Sequence, residues 1–317
     1  MTQVAQATEK SIAHAAALLR EGGLVAFPTE TVYGLGANAA DDQSVLRIFE
    51  AKRRPRFNPL IVHVRDIDHA ETLAVFDSLA LRLAQVFWPG PLTLVLPRRF
   101  AAGLSLLAGA GLETVALRAP AHPVARELLA ASQLAIAAPS ANRSGAISAT
   151  SAAHVVESLG NAVDLVLDGG PAPLGLESTI VGFAPKGPVL LRPGALERGA
   201  IENVAGELHR FGGDTIASPG RLRSHYSPQT PIRLNAMNVR ADEALLAFGP
   251  DAPPDAQITR NLSPSRDLRE AATNLFAMLH ELDAARCTGI AVMPVPEYGL
   301  GEAINDRLRR AAAPRDQ

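Results

Sequence analysis

Residues 24–39 read LVAFPTETVYGLGANA, an apolar run followed by two threonines around a glutamate and then by two glycines one residue apart. The run LVAFPT is typical of a β-strand. From residue 23 to about residue 194, other short apolar runs, such as PLIVHV (59–64) and LTLVLP (92–97), alternate with helical patterns such as SVLRIFEAKRR (44–54). This alternation predicts an α/β domain.

The glycines of this stretch formally match the fingerprint of dinucleotide-binding folds, in which they lie directly between a strand and a helix. Here residues 28–33 separate the last apolar strand residue from Gly34, and no acidic residue ends a following strand to hold a ribose. The sequence also contains no GxxxxGK[ST] phosphate loop. A dinucleotide site is therefore a poor interpretation.

The pattern further along the chain predicts a mixed sheet and a second domain. STIVGF (178–183) and PVLLRPG (188–194) flank a turn at 186–188 and are typical of an antiparallel hairpin. Residues 1–23 predict one amphipathic helix closed by Gly22 and Gly23, and 195–208 predict another. We expect a larger domain over 1–210, a Gly/Pro/Ser-rich linker over 211–230 and a smaller α/β domain over 231–317.

Composition limits the classes of function. The net charge is -2 and aromatic residues make up only 4%, which argues against a general nucleic-acid-binding surface. The single cysteine, Cys287, excludes an internal disulfide, and no apolar run approaches the ~18 residues of a membrane span. We therefore expect a cytoplasmic globular protein with no membrane partner.

Several polar groups follow predicted strands or helices and suit anion binding. KRRPRFNP (52–59) ends a helix and leads straight into a buried-type strand, although a solvated cationic helix end is the ordinary alternative. APSANRSG (138–145) offers hydroxyl and amide groups, or else forms a simple turn. Arg118 and Arg192 each follow a strand, where a guanidinium can bind a carboxylate or a phosphate bidentately or form a surface salt bridge.

Few residues point to covalent or metal chemistry. His63 lies within a predicted strand, where a lone histidine is more often structural than catalytic. No Ser/His/Asp order, paired-carboxylate spacing or HExxH motif is present. The polar set, which includes Glu177-Ser178-Thr179, therefore indicates binding of anions and orientation of reactants.

Taken together, FPTETVYGLG (27–36), KRRPRFNPL (52–60), TVALRAPAHP (114–123), APSANRSG (138–145), ESTIV (177–181) and LLRPGA (190–195) resemble the motifs of the YrdC-like family, in the same order. HYSP (225–228) and GLGEAINDRLRRAA (299–312) resemble its long, two-domain form. The resemblance implies a twisted, mixed-sheet YrdC-like domain followed by a linker and a smaller Rossmann-like α/β domain. One departure is Gly182, where the family pattern leads us to expect an aspartate after ESTIV.

The resemblance also implies an activity, in which L-threonine, bicarbonate and ATP give threonylcarbamoyl-AMP and pyrophosphate. The product would be used by threonylcarbamoyl-transfer proteins to modify tRNA beside the anticodon, possibly with direct tRNA binding. Mg²⁺ is implied by the triphosphate, because it binds mainly through phosphates and few carboxylates.

By the family pattern, Lys52, Arg54, Ser140 and Asn142 are the catalytic set and hold the phosphates. The rest of the ATP site is expected to include Asn58, Thr114, Ser148, Arg192, His225 and Tyr226. Threonine is expected to be held by Thr31, His63, Arg118 and Ser178. The opening stretch then becomes a substrate loop, its hydroxyls facing threonine and its glycines letting the backbone approach the ligand.

Two other functions remain open from the sequence. The basic residues could form a non-catalytic RNA-binding surface, or the pocket could serve as a sensor of ATP or an amino acid without turnover. Pyrophosphate release that depends on threonine and bicarbonate separates these possibilities. We also expect the linker segment SPGRLRSHYSP (218–228) to fold over the ATP site as a lid that excludes water, with an inert tether as the alternative.

Overall fold

Two β-sheets organise the chain in the computed structural model, which describes residues 2–210 and 225–314. The strands of the first sheet are β1 (Gln3–Gln6), β2 (Val25–Pro28), β3 (Tyr33–Asn38), β4 (Ile61–His63), β5 (Leu92–Pro97), β6 (Thr114–Arg118), β7 (Ile136–Ala137), β8 (Leu165–Asp168), β9 (Thr179–Ala184), β10 (Gly187–Arg192) and β11 (His209–Arg210). Their spatial order is β1-β8-β2-β3-β7-β4-β6-β5-β9-β10-β11.

This sheet is mixed, as the sequence predicts. β4 and β6 are parallel, whereas β2 and β3, β5 and β6, and β9 and β10 pair in antiparallel fashion. The accompanying helices are α1 (Glu9–Arg20), α2 (Asp42–Lys52), α3 (Ile67–Leu73), α4 (Ser78–Phe87), α5 (Pro123–Ser132), α6 (Ala152–Leu159) and α7 (Arg198–Ala205), with short 3-10 turns at Phe100–Ala102 and Gly160–Ala162. The prediction of a mixed α/β fold is confirmed.

The second, smaller sheet is entirely parallel. Its strands are β12 (Ile232–Arg233), β13 (Glu243–Ala247), β14 (Ile258–Asn261) and β15 (Gly289–Val292), in the order β12-β15-β13-β14. Helices α8 (Leu268–Ala284) and α9 (Leu300–Ala311) pack together beside it. β14 was not anticipated, because ITRN (258–261) is short and contains only one apolar residue.

The two sheets share an apolar cluster. Val32, Ile147 and Leu176 of the larger unit pack with Tyr226 and with α8 residues such as Phe276. Since the cluster includes residues of both units, burial of apolar surface holds them together. The boundaries at 210 and 231 remain a prediction, and most of the expected linker, residues 211–224, lies outside the described residues.

The N-terminal segment differs from its prediction as one helix. Residues Gln3–Gln6 form β1, which pairs in parallel with β8, and α1 begins only at Glu9. Thr8 caps this helix by accepting a hydrogen bond from the Ser11 N–H, which satisfies one of the free donors of the first turn. The strand was missed because QVAQ shows no clear period-2 apolar pattern.

The opening stretch is a hairpin rather than a loop. β2 and β3 pair directly, with Val25 opposite Gly36 and Phe27 opposite Gly34. A Cβ on Gly36 would lie 2.7 Å from the Phe27 ring and 2.9 Å from the Ile136 side chain. Gly36 therefore makes room for neighbouring side chains within the sheet, and only Gly34 reaches the cleft described below.

Among the described residues, none of the helices combines the length and the apolar character that a bilayer crossing requires.

We expect Gly36→Ala to lower the free energy of unfolding by about 1–3 kcal/mol, because overpacking a filled core costs this much. Gly199→Ala is the matched control, since Gly199 lies in α7 with nothing within 4 Å of its added Cβ. Urea denaturation followed by circular dichroism measures both. Equal stability of Gly36→Ala and the parent would contradict the packing role.

Candidate active site

A cleft of about 540 Å³, its open mouth included, lies at the ends of the central strands. It is lined by the β2–β3 turn, the ends of β4, β6 and β10, and the first described residues after the gap at 211–224. Most of the sequence-predicted site residues line it, namely Thr31, Arg54, His63, Arg118, Ser140, Ser178, Arg192, His225 and Tyr226. Segments far apart in sequence thus converge on one space.

Lys52 lies behind the cleft at the end of α2. Its ammonium donates hydrogen bonds to the backbone carbonyls of Ser140, at 2.6 Å, and of Asn142. The side chain is 1% exposed, and burial together with the nearby Arg54 holds its pKa well below the ordinary value. Lys52 therefore anchors the 138–145 segment against α2.

Arg54 and Arg192 line the cleft as buried guanidinium groups. Arg54 donates to the carbonyls of Asn58 (3.3 Å) and Pro59 (3.0 Å), and burial lowers its pKa to about 10. Arg192 donates to the carbonyl of Ser178 at 2.9 Å, and burial likewise lowers its pKa.

These cations have no acidic partner of their own. Within residues 2–210 and 225–314, no carboxylate lies within ion-pair distance of Lys52, Arg54 or Arg192. Buried charges are normally paired, because desolvation penalises an isolated ion. The cleft is therefore suited to a ligand that brings negative charge.

Arg118 occupies the other side of the cleft and is held by a carboxylate that the sequence analysis did not single out. Its guanidinium donates to Glu30 at 2.6 Å, to the Thr31 hydroxyl at 2.9 Å and to the Gly90 carbonyl at 3.2 Å. Burial opposes ionisation of Glu30, but Arg118 outweighs it and lowers the Glu30 pKa. The acidic residue between two threonines in PTET was the available signal.

His63 is neutral at physiological pH. It is 3% exposed, and burial, followed by the charge of Arg118, lowers its pKa to about 3. Its Nδ1 atom has no hydrogen-bond partner among the described residues, and its ring lies edge-on to Phe27. His63 can therefore offer a hydrogen bond to a ligand but not a positive charge.

Ser178 belongs to a small hydroxyl network at the start of β9. Its Oγ lies 2.7 Å from the Thr93 hydroxyl and accepts from Arg192 at 3.2 Å. The network joins Arg192 to the predicted threonine side of the cleft, so the two expected subsites share a wall.

Some predicted residues lie away from the cleft lining. Asn142 uses its amide to bind the carbonyls of Arg143 and Ala146, both at 2.9 Å. Asn58 is fully buried near Arg54, and neither polar atom of its side chain has a partner in the described part of the chain. Thr114 begins β6, four residues from Arg118, which separates them by roughly 13 Å along a strand.

Ser148 contacts the cleft only through another residue. Its hydroxyl donates to Glu177 at 2.6 Å, and Glu177 lines the cleft. Glu177 belongs to the polar set noted in the sequence, but its second partner, Arg307 of α9, was missed, because the two residues are 130 positions apart and nothing local marks the pair.

The expected lid falls mostly outside the described residues, so that hypothesis stays a prediction. His225 and Tyr226 do line the cleft. Burial lowers the pKa of His225 to about 3 and raises that of Tyr226. Their rings contact each other with centroids 4.0 Å apart, and the Tyr226 ring stacks on Phe276 of α8. Both residues thus connect the cleft to the second unit.

The side chains present offer no dedicated metal site. Across the described residues, no three His, Cys, Asp or Glu side chains converge. Glu177, which lines the cleft, and Glu30, which lies behind Arg118, are each bound to an arginine. This donor set fits Mg²⁺ only as a companion of bound phosphates.

Both halves of the chain match protein-family models. Residues 17–194 match the Sua5/YciO/YrdC family model, which carries the description telomere recombination. Residues 196–313 match the Sua5 C-terminal model, described as the C-terminal domain of threonylcarbamoyl-AMP synthase.

Individual relatives are similar over nearly the whole chain. The threonylcarbamoyl-AMP synthase of Pyrococcus abyssi is 41% identical, with 96% of this chain and 94% of that protein covered. The Bacillus subtilis threonylcarbamoyl-AMP synthase is 40% identical, with 99% and 96% covered. The crystal structure of P. abyssi Sua5 complexed with L-threonine matches with a TM-score of 0.90 and 39% identity, covering 98% of this chain and 97% of that one.

The buried neutral His63 generates a prediction about pH. Because its folded pKa of about 3 lies below the unfolded value of ~6.5, its contribution to stability is present above pH ~6.5 and is lost as the pH falls toward 3. Between pH 6.5 and 5, we expect His63→Gln to lose about 1.5 kcal/mol less unfolding free energy than the parent.

Urea denaturation at both pH values measures this difference. His14→Gln is the control, since His14 lies exposed on α1. Glu177 does not titrate in this pH window. Burial raises its pKa, but Arg307 and Arg192 outweigh burial and lower the pKa to about 2, so the carboxylate loses its charge only at lower pH. The same pH dependence in His63→Gln and the parent would refute the prediction.

Proposed function

This chain belongs to the Sua5/YciO/YrdC family, and we propose that it makes threonylcarbamoyl-AMP and pyrophosphate from L-threonine, bicarbonate and ATP. The observation that carries the proposal is a set of buried cations, Arg54 and Arg192 in the cleft and Lys52 behind it, none of which forms an ion pair within the described residues. A triphosphate supplies the negative charge that such a site needs.

In this proposal, the phosphates of ATP lie against Arg54, Arg192 and Ser140. Lys52 already donates two hydrogen bonds to carbonyls, so it acts mainly by fixing the segment that carries Ser140 and by adding positive charge behind it. We propose that Asn58, whose side-chain polar atoms lack partners in the described part of the chain and whose carbonyl accepts from Arg54, completes this side of the site. Thr114 is the least supported member of the predicted ATP set, because β6 carries it away from the cleft.

L-Threonine is placed at Arg118, Thr31, His63 and Ser178. Arg118 has five N–H groups, and its bonds to Glu30, Thr31 and Gly90 leave one free on each terminal nitrogen. A carboxylate can accept from both, which a lysine could not reproduce. The similar P. abyssi Sua5 structure, complexed with L-threonine, supports this substrate.

The reaction then requires positioning more than covalent catalysis. Threonine and bicarbonate condense to a carbamate with loss of water. A carbamate oxygen then attacks the α-phosphorus, and the bond to pyrophosphate breaks as the new P–O bond forms. Arg54 and Arg192 stabilise the charge on the transferring group, while Arg118 holds the amino acid in line. Mg²⁺ bound with the triphosphate would neutralise further phosphate charge. Glu30 and Glu177 are already paired with arginines, so the metal would be held mainly by the phosphates.

The product is a reactive mixed anhydride, so a protein that transfers the threonylcarbamoyl group to tRNA must consume it. We place this partner and the reaction in the cytoplasm, where ATP and tRNA meet. The proposal does not require this chain to bind tRNA directly. Its net charge of -2 gives no general electrostatic attraction for RNA.

The decisive test is pyrophosphate release by the purified protein, with each substrate omitted in turn, and detection of threonylcarbamoyl-AMP by mass spectrometry. Release that requires both threonine and bicarbonate is expected. ATP binding without any pyrophosphate would instead support a sensor, and RNA binding without either would support an RNA-binding module.

We expect Arg54→Ala and Lys52→Ala each to reduce kcat/KM for ATP roughly tenfold to a hundredfold. Loss of one charge-assisted contact is typically worth ~1.5–3 kcal/mol. Arg56→Ala is the matched control, because Arg56 lies in the same segment but is exposed. If Arg54→Ala and Lys52→Ala both retain the parental kcat/KM for ATP, the proposed phosphate role is ruled out.

Arg118→Lys is expected to raise the KM for threonine more than the KM for ATP, since the charge persists while the two-point geometry is lost. The measurement is steady-state pyrophosphate release with each substrate varied. A defect confined to ATP would move Arg118 to the nucleotide side of the cleft.

A further inference from the structure

A carboxylate lies on the wall of a cleft that is otherwise suited to anions. Glu177 is 6% exposed and lines the same space as Arg54 and Arg192. Left alone, its negative charge would repel phosphate oxygens and compete with them for the nearby guanidinium groups. The chain therefore needs a way to keep Glu177 occupied.

Arg307 supplies the partner from the second unit. Its Nε donates to Glu177 Oε2 at 2.9 Å, while the Ser148 hydroxyl donates to Oε1 at 2.6 Å. Both carboxylate oxygens thus have hydrogen-bond partners other than Arg54 and Arg192. Arg307 is fully buried and Glu177 nearly so, and solvent therefore screens the pair little.

The position of Arg307 is strongly constrained. Its side chain is 0% exposed, donates to Asp306 at 2.7 Å and lies with its guanidinium carbon 5.2 Å from the centre of the Tyr226 ring. Its Nη2 atom is buried and lacks a partner among the described residues. A buried guanidinium with a free donor, next to a residue that lines the cleft, indicates a role beyond simple packing.

Other contacts fix the helix that carries Arg307. Arg198 of α7 forms a two-point ion pair with Glu302 of α9, at 2.9 and 3.1 Å. On the facing side, His280 of α8 lies 3.2 Å from the carbonyl of Ser148. The second unit therefore reaches both residues that bind the Glu177 carboxylate. It contributes Arg307 itself, and its His280 contacts Ser148.

Electrostatics connects this pair to the phosphate side. Glu177 and Arg192 each shift the other's pKa toward the charged form, so they interact even though they form no ion pair. Without Arg307, the Glu177 carboxylate would be available to pair with Arg192, which lines the same cleft. That new pair would remove a cation from the predicted phosphate site.

We propose that Arg307 is a positioning residue for ATP, which holds Glu177 from the second unit and so leaves Arg192 free to bind the triphosphate. The inference rests on the proposed function for the identity of the anion. It assigns a chemical role in the site to α9 and thereby to the second unit.

The test is a double-substitution cycle on the full chain, with Arg307→Gln, Glu177→Gln and the double variant. ATP affinity is measured by isothermal titration calorimetry, and KM values for ATP and threonine by pyrophosphate release. Arg309→Gln is the matched control, because Arg309 lies on the same helix in an exposed pair with Glu297. Arg307→Lys tests whether charge alone is sufficient.

We expect Arg307→Gln to weaken ATP binding about tenfold and to change the threonine KM less than twofold. Glu177→Gln and the double variant should bind ATP within about threefold of the parent, because neither retains the unpaired carboxylate. Arg307→Lys should retain most of the affinity. A purely structural bridge would instead impair both substrates together, and removal of Glu177 would not rescue it.

Several results would overturn the inference. They are a double variant as weak as Arg307→Gln, equal loss of affinity for both substrates, or parental ATP affinity in a folded Arg307→Gln protein. If Arg307→Gln does not fold, the double variant decides, since it removes both charges. It must then bind ATP within threefold of the parent or the proposal fails.

Failure of the proposed function is recognised separately. A parent protein that binds ATP but releases no pyrophosphate would refute the synthase activity. The calorimetric comparison among the variants would still decide whether Arg307 tunes the anion site.

Discussion

Buried positive charge without acidic partners is the constraint on which the cleft depends. Lys52, Arg54 and Arg192 are satisfied chiefly by backbone carbonyls, which accept hydrogen bonds but carry no full negative charge. Such an arrangement is costly in a protein interior unless a ligand completes it. The net charge of -2 hides this local excess, because it sums over the whole chain, and Glu177 in the lining is already paired with Arg307.

The sheet makes this concentration of charge possible. Adjacent strands end at the same edge, so Arg118 at the end of β6 and His63 at the end of β4 lie in register opposite each other. The hairpin of β2 and β3 brings Thr31 to that edge, and the hairpin of β9 and β10 brings Arg192. Loops then need to carry only a small part of the site.

How much of this the sequence predicts depends on how local each signal is. Apolar runs predicted most strands. Two separate motifs, one around Arg54 and one around Ser140, pointed to much of the cleft. β1 was missed because four polar and small residues gain their strand conformation only by pairing with β8, more than 150 positions away. The roles of Glu30 and Arg307, and the pairing of Glu177, were missed for the same reason, since each depends on a partner distant in sequence.

The pairing of Glu30 and Glu177 with particular arginines shows that the number of positive charges does not by itself determine what the cleft can bind. Glu30 engages Arg118 on the predicted amino-acid side, and Glu177 engages Arg307 behind the predicted phosphate side. Each acid restrains one guanidinium and leaves the others unpaired. The site can thus combine rigid orientation of an amino-acid carboxylate with a concentrated field for phosphates, because its acids are matched to particular arginines. Since one of those arginines comes from α9, the chemistry of the larger unit depends on the packing of the smaller one.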